Sequence, residues 1–254
     1  MSHRLDRPIW AALTSRQVGF DPTGVRARRF PADVSPLAAA QDASPAALAA
    51  LIGVIAPGDE VSLVEVAPPT PPPDIEVSHS QLVQMVMTDG FKAGGRDQPM
   101  IPLGDGDVTE MLALATLTRP GPFRARTHTL GRFVGIRERG VLVAMAGERM
   151  HVDGFHEISA VCTHPDHRGR GYGAALMRAV GERILAEGAT PFLHSYAANT
   201  GAIALYTHLG FSIRTEVTHA IWRKRAAQTK FAAQTPLSAP SSTGFQSAAG
   251  RFQR

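Results

Sequence analysis

The feature that most restricts this chain is the passage from Ile158 to Met177, ISAVCTHPDHRGRGYGAALM. A short apolar run passes into a turn holding three glycines and two arginines, and then into an amphipathic stretch. Strand, glycine-rich turn and helix start, in that order, point backbone N–H groups at one spot. Glycines let an anion come close to them, and phosphate is the usual occupant.

Two phosphate patterns overlap there. Gly169-Arg170-Gly171-Tyr172-Gly173-Ala174 fits the dinucleotide fingerprint G-x-G-x-x-A. That reading needs a carboxylate ending the next strand, and PFLHSY ends in Ser195 and Tyr196. The other pattern, R-x-x-G-x-G from Arg168 to Gly173, makes no such demand.

The flanking pattern is α/β. Phe133–Arg137, Val141–Ala146, Gly154–Cys162 and Pro191–Tyr196 read as strands, and Phe211–Val217 with Thr218–Arg223 as a final pair. Gly171–Glu187 reads as a helix with Leu176, Val180 and Ile184 on one face and Gly188 as its stop. Thr200–Leu209 is a second helix, ended by Gly210. MIPL suggests a short strand and Asp107–Leu117 a helix. Hairpins at both ends predict a mixed sheet.

Residues 1–99 read as an α/β region with no catalytic constellation. Ala46–Val54 suggests a helix capped by Asp42 or Ser44, and the alternation in EVSLVEV a strand. Ile75–Met87 is apolar enough to join a packed layer, and PPTPPP marks an extended linker. The loop KAGGRDQP, Lys92 to Pro99, looks like a domain boundary. The tail 225–254 has four basic and no acidic residues and reads as disordered.

Composition excludes more than it selects. With 44% hydrophobic and 19% charged residues, the chain is of the globular type. Its longest apolar run, AALAALIGVIA, is too short to span a bilayer, and the start has no signal-peptide core. One cysteine fits a reducing cytoplasm. A net charge of +4 suits an anionic ligand, but no nucleic-acid motif accompanies it.

A second motif joins the first. Asn199 to Phe211, NTGAIALYTHLGF, has the form N-x-x-A-x-x-x-Y-x-x-x-G-F, one helix and one strand downstream. Together with AVCTHPDH and R-x-x-G-x-G, it resembles the acyl-CoA-binding elements of the GNAT N-acetyltransferase superfamily. The likeness runs from about Ile101 to Lys224, and EISAVCTHPDHRGRGYGAALM is most similar to the FR47-like branch.

The resemblance implies a GNAT fold. This is a mixed, mostly antiparallel sheet with a splayed parallel strand pair, flanked by helices. Residues 1–99 form an N-terminal α/β region, 100–224 the acetyltransferase domain and 225–254 a tail. Acetyl-CoA is then the acyl donor, with its pantetheine arm between the splayed strands. Val161 and Thr163 would meet the pantetheine amides. Arg168, Gly169, Arg170, Gly171, Tyr172 and Gly173 would surround the pyrophosphate, and Asn199 would touch the arm. The acceptor is a small-molecule or peptide amine, and the protein a monomer or homodimer.

The chemistry assigns further roles. Val161 N–H is a candidate oxyanion donor. A thiolate leaves with a pKa of roughly 8.5, which a phenol such as Tyr206 can protonate. An alkylamine with a pKa of roughly 10.4 must lose a proton before it attacks. Glu157, alternating with Ser159 and Val161, is the candidate base, against a strand carboxylate merely paired with a neighbour. His194 is either acceptor-lining or packed. Cys162 reads as a buried packing thiol. His164 and His167 lack a third ligand, so no metal is expected. A silent acyl-CoA sensor is the rival reading, needing the glycine turn but neither Tyr206 nor a base.

Overall fold

The computed structural model describes residues 3–88, 90, 91, 94 and 98–224. The tail 225–254 and most of the Lys92–Pro99 loop lie outside them. In chain order the elements begin with α1 (Pro8–Leu13), β1 (Ala27–Arg29), β2 (Ala38–Ala40) and α2 (Pro45–Gly53). Next come β3 (Glu60–Glu65), β4 (Ile75–Met87), β5 (Ile101–Leu103) and α3 (Val108–Thr118). Then follow β6 (Phe133–Glu138), β7 (Val141–Val152), β8 (Phe155–Thr163) and α4 (Tyr172–Ala186). The last are β9 (Thr190–Tyr196), α5 (Thr200–His208) and β10 (Phe211–Lys224).

Eight strands form one sheet in the order β3-β10-β4-β9-β8-β7-β6-β5. All neighbours are antiparallel except β8 and β9, which α4 connects. Their parallel register runs only from Phe155↔Thr190 to Glu157↔Phe192, and beyond it the two strands part. The expected splayed pair is therefore present.

Two expectations change. The stretch Phe211–Arg223 forms one long strand rather than a pair, bonded to β4 nearly end to end. It contains no glycine, proline, asparagine or aspartate on which to turn, and a bulge between Ile213 and Thr215 takes up its twist. Residues 1–99 also share the main sheet: β4 lies between β10 and β9, and β3 pairs with β10 at the edge. A boundary near residue 99 thus separates no two sheets.

The sheet is covered on both faces. On one, α4 sets Leu176, Met177, Val180 and Ile184 against Val83, Met85, Ile136 and Leu193. On the other, Leu5, Ile9, Leu13 and Phe30 of the N-terminal region pack on Leu82, Met150, Phe192 and Val217. α2, capped by the Ser44 hydroxyl accepting from Ala47 N–H at 3.3 Å, packs with Trp222 and Leu63. α3 closes over Ala160 and Cys162. No helix among the described residues is long and apolar enough to cross a membrane.

Candidate active site

The site begins with a flaw in β8. Ser159 pairs with Gly147 and Cys162 with Met145, so two residues of β8 face one of β7. Ala160 takes a left-handed φ of 54°, rare for a residue with a Cβ. This bulge breaks the strand's alternation. Ile158 and Val161 pack on the α4 side, whereas Ala160 and Cys162 pack under α3. Val161 therefore does not share a face with Glu157, contrary to the simple alternation. The bulge lies just past the last β8–β9 pair, so the backbone of Ala160 and Val161 is free of the regular ladder where the strands part.

Beyond β8 the glycine turn forms as the sequence requires. Gly169 and Gly171 sit at φ 78° and 79°, a region that disfavours any side chain, and Gly171 is the N-cap of α4. The first N–H groups of such a helix lack intrahelical partners and carry the positive end of its dipole. Arg168 is exposed and has no ion-pair partner among the described residues. Arg170 and Tyr172 behave differently. Arg170 Nη1 lies 2.9 and 3.0 Å from the two Glu138 oxygens, and the Tyr172 hydroxyl donates to the same carboxylate. His167 Nδ1 is 3.2 Å from Glu138 as well, and the Tyr172 ring is core. Glu138, unmarked in the sequence, thus fixes the turn from the end of β6. These contacts pull its carboxyl below the usual range, led by the Tyr172 hydroxyl.

Behind the splay opens a cleft of about 130 Å³. Val161, Asn199 and Tyr206 line it. Arg149, His194 and His219 form its polar wall, and Leu37, Leu82 and Pro120 are among its apolar lining. Asn199 caps α5, its Oδ1 accepting from Ala202 N–H at 3.3 Å. Tyr206 is packed edge-on to Phe211, with centroids 6.4 Å apart. Burial raises its pKa, and its hydroxyl has no hydrogen-bond partner among the described residues. It is therefore a protonated phenol facing the cleft. Thr163 ends β8, paired with Ala144.

Glu157 has a different setting from that of a base. Its side chain is fully buried, and its carboxylate accepts three hydrogen bonds. Arg149 donates from Nε at 2.7 Å and Nη2 at 2.6 Å, and His194 from Nδ1 at 2.7 Å. Burial alone would raise its pKa. The Arg149 charge and these hydrogen bonds outweigh that and hold it down at about 2. A carboxylate so held is a poor proton acceptor and does not line the cleft. In this structure it is paired with Arg149 and His194.

The hydrogen-bond chain also fixes His194. Gln84 Oε1 accepts from Arg214, so its amide nitrogen donates, to Leu5 O at 2.8 Å and to His194 Nε2 at 2.9 Å. His194 must then carry its proton on Nδ1, as the contact with Glu157 needs. Sequence reasoning missed His219, on β10. Burial, and then the charge of Arg149, lower its pKa, so it is neutral at neutral pH. It has no hydrogen-bond partner among the described residues, and nothing local in the sequence marks it.

A family model for FR47-like proteins matches residues 133–222. A GNAT-family protein from Novosphingobium aromaticivorans is 41% identical, over 89% of this chain and 100% of its own, with a TM-score of 0.81. The chain belongs to the GNAT superfamily. A GCN5-related N-acetyltransferase from Kribbella flavida shares the fold at 21% identity, over 85% of this chain and 96% of that one, with a TM-score of 0.57. No curated protein matches this chain. As in a GNAT protein, the parted strands, the glycine turn and the α4 N-terminus lie in sequence along one path. That path has the glycine turn at one end and the cleft at the other. The residues present fit an acyl-CoA: unpaired backbone at the bulge for amides, helix N–H groups and Arg168 for phosphate.

Proposed function

We propose that this GNAT protein moves an acetyl group from acetyl-CoA to a primary amine by direct attack in a ternary complex. The observation that carries this reading is the free Tyr206 hydroxyl on the cleft wall beside Val161, next to the bulge at Ala160. A passive acyl-CoA sensor has no need of a protonated phenol there.

The cofactor contacts would be those of Val161, Thr163, Asn199 and the Arg168–Gly173 turn. Arg168 supplies free charge for the pyrophosphate, while Arg170 and Tyr172 hold the turn through Glu138. The Val161 N–H donates to the carbonyl oxygen as negative charge grows on it. Tyr206 delivers its proton to the departing thiolate. His219, neutral and lining the same cleft, accepts the proton shed by the amine, directly or through water. Leu37, Val64 and Leu82 contribute apolar wall, so the N-terminal region shapes the acceptor side and favours an amine with an apolar body.

Two measurements test this. Acetyl-CoA at a hundredfold excess over its dissociation constant should stabilise the chain by about 2.7 kcal/mol. Gly171→Glu should erase that shift, because it sets a carboxylate where phosphate belongs and a side chain at φ 79°. The variant's own melting temperature is measured first, so that strain is separated from lost binding. An undiminished shift in a folded variant would move the phosphate site elsewhere. A panel of primary amines with acetyl-CoA, followed by thiol release, tests the transfer. Tight binding without turnover of any amine would favour the sensor.

A further inference from the structure

We propose that Glu148, His151 and His156, with Glu187 beside them, form a binding site for a first-row divalent metal ion, zinc fitting best. The site is independent of the acetyl-transfer reading. It lies at the start of β8, where β8 and β9 are still paired, and not at their parted end.

His151 and His156 are direct cross-strand partners on the β7–β8 hairpin. Their rings stack with centroids 4.1 Å apart and planes 9° from parallel. His151 Nε2 lies 3.0 Å from Glu148 Oε2, and His156 Nδ1 lies 3.9 Å from that same oxygen. The three ligand atoms all fall within 4.8 Å of one another. His156 Nδ1 is also 3.6 Å from Glu187 Oε2, at the end of α4. Both ring nitrogens are buried, yet neither makes an aligned hydrogen bond among the described residues. A buried polar atom without a partner is costly, and two such atoms beside one carboxylate oxygen describe a ligand set.

The surroundings orient these groups as outer partners of a metal site do. Arg183 holds the other oxygen of Glu148, from Nε at 3.0 Å and Nη2 at 2.6 Å, which leaves Oε2 toward the histidines. Arg132 does the same for Glu187 through Oε1, and lies 3.8 Å from Glu148 Oε1. Gly131 completes the wall, since a Cβ there would meet His151 Nε2 at 3.0 Å and Glu148 Cβ at 2.6 Å. Two carboxylates and two guanidiniums cancel in charge, so electrostatic attraction alone gives little affinity. The imidazole nitrogens must supply it, which favours zinc, nickel or copper over magnesium or calcium. Two nitrogens and two carboxylate oxygens suit tetrahedral zinc, with bonds of about 2.0–2.2 Å. Glu148, His151 and His156 already hold their ligand atoms within 4.8 Å of one another, and Glu187 would turn in from the end of α4. The ion would tie the β7–β8 hairpin to the end of α4.

The test uses the full chain without an affinity tag, dialysed against zinc chloride, with bound metal read by emission spectroscopy. One equivalent of zinc and a raised melting temperature are expected. The paired substitution H151N/H156N should weaken uptake by roughly a hundredfold or more while keeping the acetyl-CoA response. H164N/H167N should leave uptake unchanged. Should H151N/H156N fail to fold, cobalt(II) bound to the wild type reports on the same ligands: an intense four-coordinate ligand-field spectrum supports the site. A weak six-coordinate spectrum, no uptake by the wild type, or equal uptake by the double variant overturns it.

Discussion

Tyr206→Phe is expected to bind acetyl-CoA nearly as tightly as the wild type and to turn over roughly 10²–10⁴-fold more slowly, the span of a positioned general acid. The ring keeps its edge contact with Phe211, so packing is preserved and only the hydroxyl is lost. That hydroxyl has no structural hydrogen bond to lose among the described residues, and stability should hardly change. The pH dependence follows from the same burial. An acid works while protonated, and burial raises this phenol above 10.0, the ordinary value. Loss of the acid should therefore not limit kcat until the pH exceeds about 10. Steady-state kinetics with one amine and a thiol reagent provide the measurement. Wild-type turnover by Tyr206→Phe would assign the proton to water.

What the sequence made legible here was local. The glycines at 169 and 171 occupy backbone conformations that only glycine adopts cheaply, so the turn announces itself. The period of Leu176, Val180 and Ile184 reports the face of α4 that is buried. The bulge at Ala160 left no such mark, because alanine at positive φ is held there by the mismatch between β7 and β8 and by no preference of its own. The same holds for the place of β4 between β10 and β9, decided by pairing with a strand that ends near Lys224. Glu138 meets the glycine turn, His219 the cleft wall, and Gln84, His194 and Glu157 one another, each from a separate strand. Each residue is ordinary in its own neighbourhood, and its role exists only in the folded sheet.

Glu157 is where local reading and folded environment diverge most, and its substitution has the second large effect. Glu157→Gln should destabilise the protein by about 3–5 kcal/mol, the usual cost of stranding one partner of a buried ion pair. Arg149, with only 12% of its side chain exposed, would keep its charge beside a neutral amide. Glutamine also has one acceptor oxygen where the carboxylate now receives donors from Arg149 and His194 on both oxygens, so an N–H must face an N–H. Against a total stability of roughly 5–15 kcal/mol the loss is severe, and denaturant unfolding reads it directly. Adding Arg149→Met should cost less than the sum of the two single changes, because it removes the stranded charge. A base has a different signature. Glu157→Gln would then unfold like the wild type and lose turnover chiefly at low pH, where the amine most needs deprotonating. Unchanged stability with that pH-dependent loss would return Glu157 to the chemistry. A large loss of stability, eased by the second substitution, makes it the anchor that orients His194 and Arg149 on the cleft wall.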